Sequence, residues 1–353
     1  MNELWVAVLQ LLRVFHIFME EFKPILQILI PQYNEGEEVI KHLLNSIAVQ
    51  QHVDLKKDIS VIIVNDGSDT ILTKEFLDKY PYKIEYILSD HEGVSTARNI
   101  AFDYSVGDYV MWCDADDMFY TTHAIWIILN TIKKTNFDAM NSTFLEELRY
   151  TDGSFAELMK HEHDRTFVHG KVYKRSFLVE NDIRWNPKLS IHEDVFFNTQ
   201  ALVLAKNLQY QDNYFYVWKC RNESICRNDP DYTLKTYPNL TESNDALIEI
   251  FLKKDHPEAA RQNMVFVIFD AYYSMQLPTW HTLEHLDHRK AAEKHLALLW
   301  DKYKNLFWET DVNYRAKTAS AIRDRLVKNG MVMEIISFPD WVGHLENLIK
   351  EEE

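Results

Sequence analysis

The chain is poor in several things, and each shortage excludes something. Only three cysteines occur in 353 residues, Cys113, Cys220 and Cys226. So sparse and odd a set cannot frame a disulfide-stapled fold, and it fits a reducing compartment. Positive charge is also short, with 38 Lys+Arg against 54 Asp+Glu and a net charge of −16. Proteins that grip nucleic acid at large neutralise phosphates with Lys and Arg, so that class is excluded, although a local basic groove is not. No apolar run reaches the roughly 20 residues of a spanning helix. The longest candidate, Leu4–Phe18, is broken by Gln10, Arg13 and His16. It has no small-residue cleavage site and does not read as a signal peptide. Leu4, Val8, Leu11, Phe15 and Phe18 share one helical face, so residues 1–23 read as a docking helix or as an extension ahead of a start at Met19. The expected location is cytoplasmic, with attachment to a membrane surface as the alternative.

What is present is a globular composition, 46% hydrophobic and 26% charged. From residue 24 short apolar runs alternate with helix-period segments. Ile25–Ile30, Ile59–Val64, Ile84–Leu88 and Tyr109–Cys113 read as buried strands, with helices expected at Glu37–Gln50, Phe76–Tyr80 and Ser95–Tyr104. This alternation predicts βαβ units and a mostly parallel sheet, in which ligands sit at the carboxyl ends of the strands. Beyond residue 120 a helix is expected at His123–Lys134, a hairpin from Ala139–Glu147 around Asp152-Gly153, a helix at Val195–Ala205 and a late strand at Tyr214–Trp218. After Asp229 the chain changes character: Ala246–Lys254, Ala259–Met275, Arg289–Phe307 and Tyr314–Asn329 have helical spacing and almost no glycine. The expected organisation is an N-terminal extension over 1–23, an α/β domain over 24–228 and a helical accessory domain over 229–353.

Polar clusters follow the strands. Asp114-Ala115-Asp116 leaves the Tyr109–Cys113 strand, and residues i and i+2 of an extended segment point to one side. Two converging carboxylates suit a hard cation, Mg²⁺ or Mn²⁺, which in turn binds a diphosphate. On its own such a pair is more often a solvated turn; behind an apolar strand it carries more weight. Asp66-Gly67-Ser68 offers a carboxylate for a base N–H, or an Asx turn. Pro31-Gln32-Tyr33-Asn34-Glu35 offers a ring for stacking, or a plain strand exit. His91-Glu92-Gly93 leads into a helix whose first turn carries Arg98, suited to an anion or to a surface ion pair. Asp194, in His192-Glu193-Asp194, is either an N-cap or a general base. His281-Thr282-Leu283-Glu284-His285 mimics a zinc-protease pattern, but it reads as a solvated histidine-rich helix start.

In this order and spacing, Ile28–Glu35, Val64–Ser68, Gly93–Asn99, Asp114–Asp116 and His192–Asp194 resemble glycosyltransferase family 2 over roughly residues 24–226. The resemblance implies an α/β GT-A fold, Rossmann-like, with a mainly helical C-terminal region. It implies that Pro31, Tyr33, Glu35, Asp66, His91, Arg98 and Asp114 contact nucleotide, that Asp116 with Asp114 holds Mn²⁺ or Mg²⁺, and that Asp194 is the catalytic base. Two positions depart from the family pattern: Asn65 stands where a second aspartate is frequent, and His91 where asparagine is frequent. Val168–Tyr173 resembles the family's acceptor-side segment. No Gln-x-x-Arg-Trp segment or membrane span marks a processive member, so transfer of one sugar per encounter is implied.

The expected reaction is metal-dependent, inverting transfer from a nucleotide-diphosphate sugar, UDP favoured, to an acceptor hydroxyl. The acceptor is left open among glycan, polymer, lipid-linked, protein and modified-base hydroxyls. Apolar faces on the C-terminal helices are expected to bury on the catalytic domain or on a second copy. The rival readings are a nucleotidyltransferase, disfavoured because Pro31–Gly36 has no Lys or Arg, and an inactive GT-A binding or scaffold module, disfavoured because the expected carboxylates are all present.

Overall fold

The computed structural model describes residues 23–149, 155–162, 164–189, 191–220, 232–277, 286–328 and 336–350. They form two compact units: one holds the described residues up to 189 together with those from Phe197 to 220, and the other holds Ile191–Phe196 with those from 232 onward. The expected extension (1–22), the Asp152-Gly153 turn, Arg221 and the His281–His285 pattern lie outside the described residues. Among the described residues no helix is long and apolar enough to cross a membrane.

The first unit is built on strands β1 (Leu26–Gln32), β2 (Ile59–Asp66), β3 (Lys83–Ser89) and β4 (Tyr109–Trp112). β1 and β2 are buried along their whole length, so both faces must be covered, and the strands read as continuous apolar runs. β1 pairs in parallel with β2 and β4, and β2 in parallel with β3. The helices Glu37–Ala48 and Val94–Tyr104 make the crossovers. Ile40, Leu43, Leu44 and Ile47 of the first are fully buried, on the 3.6-residue period that predicted it.

Three more strands complete this sheet: β6 (Ala139–Ser142), β9 (Lys171–Lys174) and β10 (Leu208–Gln211) extend it to the order β10-β6-β9-β4-β1-β2-β3, and β9 runs antiparallel to both its neighbours. A second sheet has the order β5-β11-β7-β8, from Met118–Phe119, Tyr216–Trp218, Phe144–Arg149 and Phe155–His161. The single strand expected over Ala139–Glu147 is therefore two strands in two sheets. The break is at Thr143, whose amide donates to the Gln211 carbonyl at 3.1 Å. The break falls in the polar run Asn141-Ser142-Thr143, and no glycine or proline marks it.

The second unit contains helices Tyr232–Lys253, Pro257–Ser274, Leu286–Glu309, Val312–Lys328 and Phe338–Lys350. Its core includes Phe251, Met264, Ile268, Leu296, Trp300, Phe307 and Leu345. These apolar side chains bury on one another within the unit, while Phe266, Leu298 and Trp308 stay exposed. The first helix starts at Tyr232, well ahead of the expected Ala246, and runs through Pro238.

Candidate active site

Each parallel strand exit is held in place by its own polar strap. Asn34 takes φ +66°, its amide donates to Ser68 Oγ at 2.9 Å, and its Oδ1 accepts from the Asp69 amide at 3.0 Å. This ties the loop after β1 to the loop after β2. The Tyr33 amide donates to the Glu35 carboxylate at 2.7 Å, which turns the Tyr33 ring outward. Asn65 explains its own departure from the family pattern. Its Nδ2 donates to Tyr86 Oη at 2.7 Å while its Oδ1 accepts from the Ser68 amide at 2.7 Å. Tyr86 Oη already spends its proton on Gln32 Oε1 at 3.0 Å, so a carboxylate at position 65 would keep the Ser68 amide but face Tyr86 Oη with no proton between the two oxygens.

Asp66 ends β2 with its side chain buried. Its Oδ1 accepts from the amides of Glu92 at 2.8 Å and Gly93 at 3.2 Å, and Oδ2 from Gly93 at 3.0 Å. His91 Nδ1 lies 3.0 Å from both Asp66 Oδ2 and the Asp66 carbonyl. Both neighbours are acceptors, so Nδ1 carries the proton. The His91 ring stacks on Tyr33 with centroids 4.2 Å apart and planes at 15°. Gly67 sits between these groups at φ +68°, and a Cβ there would come within 2.6 Å of the His91 nitrogen.

Arg98 comes from the buried side of its helix. It donates to Asp114 Oδ1 at 3.1 Å and lies over the Trp185 ring at 4.3 Å. Its cation is therefore aimed at the strand end and not at bulk solvent, so the surface ion-pair reading of this residue fails. Pro31, Tyr33, Glu35, Asp66, His91, Arg98, Asp114 and Asp116 all line one cleft of about 310 Å³, and Trp218 closes its wall. Two hard oxygen donors at the strand end fit a divalent cation chemically.

Three buried residues behind this cleft were not read from the sequence. Asp117 is fully buried; its Oδ2 accepts from Tyr216 Oη at 2.7 Å and its Oδ1 from the Lys219 amide at 2.8 Å. Burial, then the nearby Asp116 and Asp114 charges, push its carboxyl well above the ordinary range. His169 lies with Nδ1 3.6 Å from Asp117 Oδ2, and burial drops its pKa to about 4. Asp114, Asp117 and His169 offer ligand atoms within 4.8 Å of one another, a candidate metal-holding group. For Asp117 the signal was the fourth letter of Asp-Ala-Asp-Asp, but a turn closed by its amide on the Asp114 carbonyl at 3.2 Å carries it into the core and out of the cleft. Tyr216 is remote in sequence and carried none, while His169 falls in the Val168–Tyr173 segment, whose resemblance pointed to the acceptor side and not to Asp117.

Asp194 is the second residue of the Glu193–Leu204 helix, so it is not the N-cap. His192 precedes the helix at φ +63°, and its Nε2 lies 3.2 Å from Thr236 Oγ1. The segment Ile191–Phe196 groups with the helical unit, whereas the cleft belongs entirely to the other.

Comparison with known proteins meets this geometry. The family described as Glycosyl transferase family 2 matches residues 27–173. Poly(ribitol-phosphate) beta-N-acetylglucosaminyltransferase TarS of Staphylococcus aureus is 26% identical over 215 residues, 56% of this chain and 36% of TarS. The uncharacterized glycosyltransferase YibD of Escherichia coli is 26% identical over 227 residues, 57% of this chain and 63% of YibD. The chain thus matches less than two thirds of the length of either relative. The crystal structure of S. aureus TarS 1-349 has the same fold at a TM-score of 0.58 and 16% identity, covering 86% of this chain and 91% of that one. Its complex with UDP-GlcNAc superimposes with a TM-score of 0.57 at 15% identity, covering 89% and 95%. Residues 27–173, which carry the ends of β1, β2 and β4 and the cleft residues from Pro31 to Asp116, form a glycosyltransferase family 2 domain, and the fold is GT-A.

Proposed function

We propose that the protein transfers one sugar from a UDP-sugar to an acceptor hydroxyl, with inversion and with a divalent cation, Mn²⁺ or Mg²⁺. One observation carries this reading: a stacking ring, a buried carboxylate, a guanidinium and two cation-binding carboxylates line the same cleft. The Tyr33 ring, 47% exposed, offers a face to a nucleobase. Asp66 and His91 stand at the base edge, and Arg98 and Asp114 at the ribose and phosphates. Asp116, with Asp114, would hold the cation, which when bound offsets the charge growing on the departing diphosphate. Asp194 takes the proton from the acceptor hydroxyl. Direct displacement needs no covalent sugar–enzyme intermediate. UDP is favoured because a uracil N3–H needs an acceptor at the base edge, and because the solved TarS complex holds UDP-GlcNAc.

The test is a thermal-shift screen of nucleotide sugars with and without Mn²⁺. A ligand that binds the folded state raises its melting temperature by mass action. The expected result is that a UDP-sugar with Mn²⁺ gives the largest shift and that the best donor releases UDP on addition of a competent acceptor. No shift with any nucleotide sugar at millimolar concentration would overturn the reading.

A further inference from the structure

We propose that Asp117 and Tyr216, neither of which lines the donor cleft, are positioning residues that set the spacing between the Asp114–Asp116 loop and the wall made by Trp218. The proposal rests on the donor-site reading above. Tyr216 Oη plays two parts at once: it accepts from the Asp114 backbone amide at 3.0 Å and donates to Asp117 Oδ2 at 2.7 Å. The other Asp117 oxygen accepts from the Lys219 amide at 2.8 Å, the residue directly after Trp218. One buried carboxylate therefore ties the first residue of the metal-binding loop, through a single hydroxyl, to the main chain at the end of β11. The Tyr216 ring is fixed in turn, stacked on His169 at 5.2 Å and 18°, and His169 stacks on Trp218 at 5.2 Å and 29°.

The chemistry explains why this link is narrow. A hydroxyl is the simplest side-chain group that can accept from one amide and donate to one carboxylate along a line. Remove the oxygen and the Asp114 amide loses its acceptor in a site with little water access, so the loop must shift to find another. Asp114 and Asp116 then move relative to each other and to the bound diphosphate. Metal binding needs donor atoms placed within a few tenths of an ångström, whereas base stacking on Tyr33 does not depend on this loop. A loss of positioning should therefore appear in the metal requirement and leave metal-free nucleotide binding alone.

Tyr216→Phe deletes the oxygen and keeps the ring stack. UDP binding is measured by calorimetry across a Mn²⁺ series for the wild type, Tyr216→Phe and Tyr173→Phe. Tyr173 is the control, a buried tyrosine whose hydroxyl donates to Asn198 Oδ1 at 2.5 Å and not to the metal-binding loop. Tyr216→Phe is expected to need about tenfold more Mn²⁺ for half-maximal enhancement of UDP binding, with metal-free affinity within about twofold of wild type; Tyr173→Phe should match wild type in both. If the phenylalanine variant does not fold, amide hydrogen exchange of the wild type serves instead: the Asp114 amide, held by the buried Tyr216 Oη, should exchange slowly and more slowly still with Mn²⁺ and UDP, and rapid exchange that these ligands do not slow overturns the proposal. An unchanged Mn²⁺ requirement in Tyr216→Phe, or an equal rise in Tyr173→Phe, overturns the proposal. A wild type that binds no UDP at any Mn²⁺ concentration overturns the donor-site reading, and the proposal falls with it.

Discussion

The two units hold themselves together differently. In the α/β unit, buried polar side chains make bonds that only one residue type can make: Asn65 donates and accepts at once, Tyr216 bridges an amide and a carboxylate, and Gln27 Oε1 accepts from the amides of Val106 and Gly107 at 2.5 Å each. In the helical unit the core is mainly aromatic and aliphatic, with a few buried polar residues such as Ser243 and Asn244, and the ion pairs sit mostly at its surface, as where Lys302 bridges Asp245 at 2.8 Å and Glu249 at 2.7 Å. A packed apolar core tolerates exchange of one hydrophobic residue for another of similar volume. A bonded polar network does not, because each lost partner strands another group. The first unit should therefore be brittle to small chemical changes and the second forgiving of them.

The strongest break of that contrast is Asp116→Ala. It removes one small side chain from the cleft, and transfer is expected to vanish together with the Mn²⁺-dependent part of nucleotide binding, while the melting temperature changes little. Full activity in EDTA, or wild-type turnover in the variant, would be the contrary result. Next comes Asp194→Asn. The residue sits in the first helical turn, where an acidic side chain also favours the helix dipole, so a purely structural role predicts a stability loss of at most about 1 kcal/mol and little change in rate. The general-base role predicts intact folding and donor binding with transfer slower by about 10²–10⁴. The rate must be measured with an acceptor present, since water can attack the donor without the base, and the product anomer should be inverted.

The same contrast explains what could be read from the sequence. Strand and helix order in the α/β unit was legible because β1 and β2 are mostly apolar and end in polar clusters. Most cleft residues were legible because they lie at a strand end or in the loop just past it, and geometry then brings strand ends together; Arg98 comes instead from the helix after β3. Thr143 was not legible, since no glycine or proline marks its break and a polar run such as Asn141-Ser142-Thr143 can also lie within a strand. Nor were Tyr216 and His169, which meet Asp117 only through the fold. In the helical unit the periods of Pro257–Ser274 and Leu286–Glu309 were clear, but the first helix was shortened in the reading because Pro238 and Asn239 interrupt its apolar spacing. The Phe338–Lys350 helix, though amphipathic, is short and stands at the end of the chain, and it was not anticipated.

Glycine sharpens the comparison further. Gly67→Ala places a methyl group at φ +68°, where an L side chain is strained by about 1–2 kcal/mol, and within 2.6 Å of backbone at His91. Backbone cannot swing aside as a side-chain tip can, so overpacking adds about 1–3 kcal/mol. Denaturant titration is expected to show a loss in the sum of those ranges, and weaker nucleotide binding should accompany it because His91 and the Glu92 and Gly93 amides are displaced. Unchanged stability would mean that the strap between Asp66 and the 91–93 loop is looser than its hydrogen bonds imply.

The smallest effect has the opposite sign. Gly343 lies inside the Phe338–Lys350 helix, its φ is in the ordinary negative range, and nothing stands within 4 Å of where a Cβ would be. The folded state therefore accepts the methyl group without a clash. The unfolded chain, by contrast, loses the extra freedom that glycine gives it, and that loss raises folded-state stability. Gly343→Ala should accordingly stabilise the helical unit by about 0.5–1 kcal/mol, the usual difference between the two residues in a helix interior. The measurement is a thermal or denaturant melt followed by far-ultraviolet circular dichroism at 222 nm, a wavelength dominated by helix, with UDP binding measured in parallel. UDP affinity should be unchanged, since every residue of the donor cleft is in the other unit. If Gly343→Ala destabilises instead, the helix carries a contact through that glycine that its open surroundings do not reveal. If it alters UDP affinity, the two units are coupled, and the helical one is more than a forgiving, separately packed core.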